Sequence, residues 1–211
     1  MLRDAALSRV KVMLGFKQNL DADILQAMVE TQEDLERSSE LPYFLRKNYL
    51  DWETEEGVRN LTVPTDFIRE WDDDQLFAIN DELMETPIVK DQEGFLRLRW
   101  PIQLGWGTPK KYARVYKDIH LYPTPDKIYT LNGAYYAKDL PLTTNIENKW
   151  LKELPYILIA RAGLMLAAGL RDKDGMSAFS SLNEIMTAKL HQMTVADDAA
   201  GSRPIIGGDE D

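Results

Sequence analysis

The stretch from Gly107 to Tyr136 constrains the fold of this chain more than any other part of the sequence. It is rich in tyrosine, and Pro123 and Pro125 fix φ and favour extended backbone in the residues that precede them. The sequence therefore predicts β-strands joined by a stiff turn at Asp126.

The alternation in the incoming strand separates two faces. Ile119 and Leu121 share one face, and His120 and Tyr122 share the other. We expect His120 to be a polar surface residue rather than a catalytic base, because no Ser or Asp pattern is placed to orient it. The chain has only two histidines and no His-Glu-x-x-His motif, so the sequence predicts no histidine metal site.

A β-rich region extends from residue 41 to residue 146, in short segments rich in β-branched and aromatic residues. In the segment 95–100, Leu96, Leu98 and Trp100 alternate with arginines, which predicts a strand. Asn132-Gly133 is compatible with a two-residue hairpin turn or with a bulge in one long strand over residues 128–137.

Helical periodicity opens the chain. Leu7, Val10 and Leu14 recur at helical spacing, and Gly15 is placed to end that helix. Asp21 is the expected N-cap of a second helix. The expected buried stripe of this helix is Ile24, Ala27, Met28, Thr31 and Leu35, and its expected solvated acids are Glu30, Glu33, Asp34 and Glu36.

Helical character returns after Asn145. The run 154–170 is apolar except at Arg161 and is too short to span a bilayer, so we expect a buried helix that Pro155 begins or kinks. Ala160, Gly163 and Ala167 form a small-residue stripe that allows another helix to approach closely. A second helix, after a tight connection at 172–175, completes an antiparallel pair. Its expected face is Phe179, Leu182, Met186, Leu190 and Met193.

The segment 197–211 is predicted to be an extended tail. It is rich in glycine and carries five acids against one arginine. Within it, Arg203, Pro204, Ile205 and Ile206 form the expected docking segment, because an apolar anchor stands there between polar flanks.

Composition limits the function. A net charge of −10 argues against a protein that grips DNA phosphates, although an acidic wall lets DNA pass without adhering. The chain has no cysteine, which excludes disulfides, thiolate zinc sites and cysteine nucleophiles. We find no catalytic constellation, and the sequence predicts no catalytic residue, cofactor or metal site.

Two weaker patterns in the sequence have both a functional and a simpler structural interpretation. The acid clusters at 53–56, 72–74 and 81–82 are of a kind that holds calcium or supplies the carboxylate pair of a glycosidase. The triple aspartate at 72–74 lacks the glycine and final glutamate of an EF-hand loop, and runs of acids are usually solvated turns, which is the interpretation we favour. Basic residues interleave with the tyrosines at Lys110, Lys111, Arg114 and Lys117. This pattern is also found in surfaces that bind single-stranded nucleic acid or sugars. An aromatic core with lysines at its rim is the favoured interpretation.

Several motifs in a fixed order resemble the head-to-tail adaptor (connector) proteins of tailed bacteriophages. These are Pro109-x-x-Tyr-Ala, Ile119-x-Leu-Tyr-Pro-x-Pro-Asp126, Tyr129-x-Leu-x-x-x-Tyr-Tyr136 and Leu140-Pro-Leu142, with Leu61-Thr-Val-Pro-x-Asp-Phe-Ile68 upstream and the helix pair after Trp150. The resemblance favours the bulge over the hairpin at Asn132-Gly133.

The resemblance implies a virion structural protein without enzymatic activity. Such adaptors form a ring, generally dodecameric, between the portal and the tail nozzle or tail tube, and genomic DNA passes through the ring without sequence-specific binding. The C-terminal tail reaches along the portal. The implied location is the neck of the virion after assembly in the host cytoplasm, with no membrane partner. A tail-completion or stopper protein, a virion-associated glycan-binding or glycan-hydrolysing module, and a DNA-packaging factor remain the alternatives.

The expected fold is α+β, mainly an α-helical bundle with an inserted antiparallel β-rich domain and an extended C-terminal tail. Residues 1–40 with 147–196 form the expected bundle, residues 41–146 the insertion and residues 197–211 the tail.

Overall fold

The fold is described from a computed structural model of the chain. It describes residues 1–16, 19–49, 52–71, 76–80, 83–101 and 105–201, and side chains as far as residue 195. The elements, in chain order, are α1 (Arg3–Met13), α2 (Asp21–Arg37), β1 (Arg46–Asn48), β2 (Trp52–Glu53), β3 (Asn60–Thr62), β4 (Phe67–Glu70), β5 (Leu76–Ile79), β6 (Glu85–Lys90), α3 (Glu93–Arg99), β7 (Lys111–Val115), β8 (Asp118–Tyr122), β9 (Thr130–Asn132), β10 (Ala134–Ala137), α4 (Lys149–Glu153), α5 (Pro155–Gly169) and α6 (Lys173–Gly201).

The chain divides into two compact units. One, which we call the helical unit, comprises Met1–Leu45 and Asp139–Asp211, and the other, the β unit, comprises Arg46–Lys138. The sequence placed the boundaries at residues 41 and 146. Phe44, Leu45 and Leu142 lie inside those expected boundaries, but they are buried side chains of the helical unit.

The expectation of a mainly helical bundle is wrong. The structure is mixed, with 45% helix and 23% strand, and its large curled sheet forms a half-barrel. That sheet has seven strands in the order β2-β9-β5-β6-β7-β8-β3, and a second sheet has the order β1-β10-β4. The sequence pattern indicates less sheet than the structure contains, because most strands are only two to five residues long and carry a weak periodic signal.

The β unit is not wholly antiparallel either. Strands β6 and β7 pair in parallel, with Val89 opposite Lys111. A parallel pair requires a crossover connection, and α3 lies in that connection. The segment 95–100, predicted as a strand, therefore belongs to a helix, in which Leu96 is buried while Leu98 is 83% exposed.

The hairpin alternative at Asn132-Gly133 is wrong. Strand β9 pairs with β2 and β5, whereas β10 pairs with β1 and β4. The chain passes from one sheet to the other at Gly133, whose carbonyl accepts a hydrogen bond from the Tyr49 backbone N–H at 2.9 Å.

The core of the β unit is aromatic. The rings of Tyr49 and Trp52 stack with centroids 4.1 Å apart, and Tyr49 also stacks on Tyr135 at 4.7 Å. Phe67 extends the stack to the other side of Tyr135 at 5.6 Å. These rings lie in one cluster with the buried apolar residues of β5 to β9, so the β unit has a core of its own.

Helix α5 is the centre of the helical unit and contacts α1, α2, α4 and α6. A helix surrounded in this way is apolar on every side, which accounts for the run from 154 to 170. Pro155 occupies its first turn, where a missing N–H has no cost. Arg161 is accommodated by a hydrogen bond from its Nε to Asn183 Oδ1 at 3.3 Å. No helix in the described ranges combines the length and apolar character needed to cross a bilayer.

The first two helices match the predicted periodicity closely. α1 ends before Gly15, which has a φ of +72° that suits glycine. The predicted stripe of α2 is buried, but Leu20 rather than Asp21 precedes the helix as its N-cap.

Candidate interaction surfaces

Helix α3 is held on the sheet by a hydrogen bond and an apolar contact. His120 Nδ1 and Glu93 Oε1 lie 2.8 Å apart, and Arg97 Nη2 lies 2.6 Å from the same oxygen. Leu96 packs beside them against Ala113 and Tyr122. Burial acts to raise the pKa of the Glu93 carboxyl, but the hydrogen bonds with His120 and Arg97 outweigh it and hold that pKa below its ordinary value.

The prediction that His120 is a surface residue is therefore wrong. Only 8% of His120 is exposed, and Tyr122 on the same side of β8 is fully buried. The alternation correctly separates the two faces of β8, but α3 covers the second face. Nothing in the local sequence of the strand indicates that a helix lies over it.

The opposite side of α3 is apolar and uncovered in this structure. Phe95 is 66% exposed and Leu98 is 83% exposed, three residues apart on one helical face. Arg99 completes this surface, with its guanidinium 5.0 Å from the centroid of the Trp100 ring. We call Phe95, Leu98 and Arg99 the α3 outer face.

A second exposed apolar group lies where three loop segments of the β unit meet. Trp106 forms a parallel bridge with Thr124, and Gly57 N–H donates to the Pro125 carbonyl at 2.9 Å. A Cβ at Gly57 would lie 3.3 Å from the Trp106 ring, so the indole lies directly on the glycine backbone. The exposed apolar side chains of these segments are Val58, Trp106 and Ile128, which we call the Trp106 patch.

Acidic residues lie in the same segments as the Trp106 patch. Glu53, Glu55, Glu56 and Asp126 are exposed in the same segments, against the partly buried Lys127. The side chain of Asp126 accepts a hydrogen bond from the Tyr129 hydroxyl at 2.7 Å, which fixes the turn after Pro125. Exposed apolar side chains accompanied by unpaired acids are suited to a protein partner that carries basic residues.

The helical unit contains a buried polar network around Glu36, so the expectation that Glu36 is a solvated acid is wrong. Glu36 is only 7% exposed, and its Oε1 accepts from Gln32 Nε2 at 2.9 Å, Asp139 N at 3.1 Å and Trp150 Nε1 at 3.3 Å. Asn148 joins through a bond to Gln32 and caps α4. Burial raises the pKa of Glu36, and the nearby charge of Asp139 raises it further against the opposing hydrogen bonds.

The predicted helix-packing residues lie together on one side of α5. Ala160, Gly163 and Ala167 are all buried. A Cβ at Gly163 would lie 2.2 Å from Cε1 of Phe179, so this glycine lies directly against the Phe179 ring of α6.

The predicted docking residues Arg203, Pro204, Ile205 and Ile206 lie outside the described residues. The predicted start of the tail, Asp197, falls within α6, which continues to Gly201.

The basic residues near the tyrosines are dispersed. Lys111 forms an ion pair with Asp91, and the half-buried Arg114 lies 4.6 Å from the centroid of the Phe67 ring. Only Lys110 and Lys117 are exposed. In the part of the chain that the structure describes, no cluster of His, Asp and Glu could hold a metal ion. The acid clusters 72–74 and 81–82 lie outside that part.

These features define a protein with two self-contained units and several exposed surfaces suited to binding other proteins. The family model described as SU10 adaptor protein matches residues 2–206. The chain therefore belongs to the SU10 adaptor protein family, a family of phage structural adaptors, in agreement with the resemblance found in its sequence motifs. A search of curated proteins finds no match to this chain.

Proposed function

We propose that the chain is the head-to-tail adaptor of a tailed bacteriophage. Its copies form a ring, dodecameric as in the proteins it resembles, between the portal and the nozzle or tail-tube proteins. The ring surrounds the DNA exit channel, and its role is structural rather than catalytic. The observation that carries this proposal is the match of the adaptor family model to nearly the whole chain.

The charge of the chain supports passage of DNA rather than attachment to it. With a net charge of −10, a ring of many copies presents a strongly acidic surface to a polyanion. Tight binding to phosphates needs many lysines and arginines on one face, and the basic residues near the tyrosines are instead paired, partly buried or dispersed. DNA therefore passes without sequence-specific contacts.

The C-terminal segment is the part that we expect to dock on the portal. Pro204 limits the conformational freedom lost on binding, and Ile205 and Ile206 supply an apolar anchor. Each contact is modest, but repetition around a ring raises the effective concentration of the remaining tails once one has bound. The acids of the segment steer it toward a basic groove, which makes the rate of attachment sensitive to salt.

The test is removal of residues 202–211, which leaves α6 complete. We expect an unchanged melting temperature and far-UV circular dichroism spectrum, together with loss of binding to purified portal in negative-stain micrographs. A second variant, Ile205→Ser with Ile206→Ser, keeps the length and charge of the tail and removes only its apolar anchor. It should lose portal binding too. If the truncated protein joins the portal as well as the full-length protein does, the tail is not the docking segment.

The ring itself is tested separately. Micrographs of the wild-type protein on the portal should show a closed ring of adaptor copies coaxial with the portal. A single bound copy, or binding at the side of the portal, would contradict the proposed adaptor role. We expect the protein to assemble in the host cytoplasm and to remain at the neck of the mature virion.

A further inference from the structure

We propose that the α3 outer face of one copy docks on the Trp106 patch of the next copy in the ring. This inference rests on the proposed ring, and it assigns two particular surfaces of the β unit to the contact between copies. Both surfaces belong to the β unit.

The first argument is the exposure of large apolar side chains on elements that are already anchored. Helix α3 uses Leu96 and Trp100 to pack on the sheet, so burial within the unit does not account for Phe95 and Leu98 on its other side. Trp106 is 58% exposed although three segments converge to hold its ring on Gly57. Grouped exposed apolar side chains mark interaction sites, and binding sites are held most precisely on rigid elements.

The second argument is charge complementarity. The α3 outer face carries Arg99, which forms no ion pair with any residue that the structure describes. The neighbouring Arg97 is neutralised by Glu93. The Trp106 patch carries four acids against one lysine, and none of these acids forms an ion pair within the described ranges. The α3 outer face, which is apolar and positively charged, is therefore complementary to the Trp106 patch, which is apolar and negatively charged.

The third argument identifies the occupant as a second copy. A closed ring needs a heterologous contact, in which each copy presents two different surfaces that complement one another. The α3 outer face and the Trp106 patch are formed by different segments and differ in sign of charge, and both carry exposed apolar side chains. A chain that carries both surfaces supplies every contact in a ring without a second protein.

The decisive experiment disables each surface separately in the full-length protein. Leu98→Glu removes the apolar centre of the α3 outer face, and Trp106→Glu removes that of the Trp106 patch. Ile128→Glu is a second patch variant in case the Trp106 change perturbs folding. Tyr116→Glu is the matched control, because Tyr116 is 95% exposed in the same unit and belongs to neither surface.

Molar mass is measured by light scattering, with the protein alone and with purified portal. Without portal, we expect Leu98→Glu and Trp106→Glu each to remain monomeric under conditions where wild type and Tyr116→Glu form multimers. With portal, we expect the two variants to bind through their tails but to reach a lower molar mass than wild type and Tyr116→Glu, because no contact between copies supports the ring. An equal mixture of the two disabled variants should form dimers and nothing larger, because one intact pair of surfaces remains and the chain of contacts then ends.

Charge reversal tests the polar part of the contact. Arg99→Glu and Glu56→Arg should each weaken association by more than about tenfold, because like charges then face each other. The double variant should recover most of the loss. Multimers that form normally in the single disabled variants would overturn this inference and leave the ring proposal standing. A wild type that forms no multimer, alone or on the portal, would overturn both.

Discussion

Trp150 contacts residues that precede and residues that follow the β unit in the sequence. Its ring meets the edge of Phe44, with centroids 5.1 Å apart, shortly before the chain enters the β unit. Its backbone N–H donates to Asp139 Oδ2 at 3.1 Å, and its indole N–H donates to Glu36 at 3.3 Å. Asp139 is the first residue of the helical unit after the β unit, so Trp150 contacts the chain just before and just after the β unit, through its ring and its backbone N–H respectively.

Glu36→Gln should stabilise the protein near neutral pH. The folded state raises the pKa of Glu36 above its reference value of 4.5, mainly through burial, so folding favours the protonated form. The stability from this group is fully present below that reference value and is lost as pH rises through the raised pKa. Glutamine is neutral at every pH, and its carbonyl oxygen can accept the same three hydrogen bonds. We expect a gain in the free energy of unfolding of about 1 kcal/mol at pH 7, declining toward pH 4.

Urea unfolding at several pH values measures this effect. Glu30→Gln is the matched control, because Glu30 is exposed on the same helix and should show almost no change. A Glu36→Gln protein that is less stable than wild type at pH 7 would mean that hydrogen bonds to the charged carboxylate outweigh its desolvation.

At the scale of elements, the pairing of α5 with α6 depends on one close approach. The Phe179 ring occupies the space that a side chain at position 163 would need, and Phe179 is itself fully buried. Ala160 and Ala167 lie on the same buried side of α5. This part of the core is closely packed, and additional atoms force movement of a ring or of a helix.

Gly163→Ala should destabilise the protein by about 1–3 kcal/mol, and Gly163→Leu by at least as much, because both overpack this contact. Gly169→Ala provides a matched control in the same helix, since nothing lies within 4 Å of a Cβ there. That control should gain up to about 1 kcal/mol from the better helix propensity of alanine. Thermal melts of the three variants give the comparison, and equal melting temperatures for Gly163→Leu and wild type would show that the helices separate at no cost.

At the scale of the molecule, the two ends of the inserted β unit lie on neighbouring strands of one of its sheets. Its first strand, β1, pairs with its last, β10, with Arg46 opposite Tyr136. The chain therefore enters and leaves the β unit on adjacent strands. An insertion with adjacent ends leaves the folding of the surrounding unit intact.

The isolated segment 46–138 should fold on its own. All members of its aromatic core cluster lie within these residues, so the excised unit keeps that core complete. We expect one cooperative thermal transition and a near-UV circular dichroism signal from the stacked Tyr49, Trp52 and Tyr135. An excised segment without near-UV signal would show that the β unit requires the helical unit to fold.

Local patterns in the sequence were sufficient for several elements. The stripe of α2, the end of α1 before Gly15 and the two-faced strand β8 are all readable from the sequence. For Pro155 the sequence left two options, and the structure shows that it begins α5. The phage adaptor resemblance, which the family match supports, also came from the order of motifs alone. Periodicity, proline and glycine constrain the backbone of a few adjacent residues, and that information is local.

The tertiary structure decided which local options were used. Segment 95–100 became a helix because the parallel pairing of β6 with β7 needs a crossover. His120 and Glu36 became buried because α3 covers one of them and Asp139 and Trp150 cover the other. The paired residues of β6 and β7, such as Val89 and Lys111, are 22 residues apart in the sequence. Of the residues that cover His120 and Glu36, the nearest in sequence is Glu93, 27 residues from His120. Burial and pairing with such distant residues depend on the packing of the whole unit, so local spacing does not encode them.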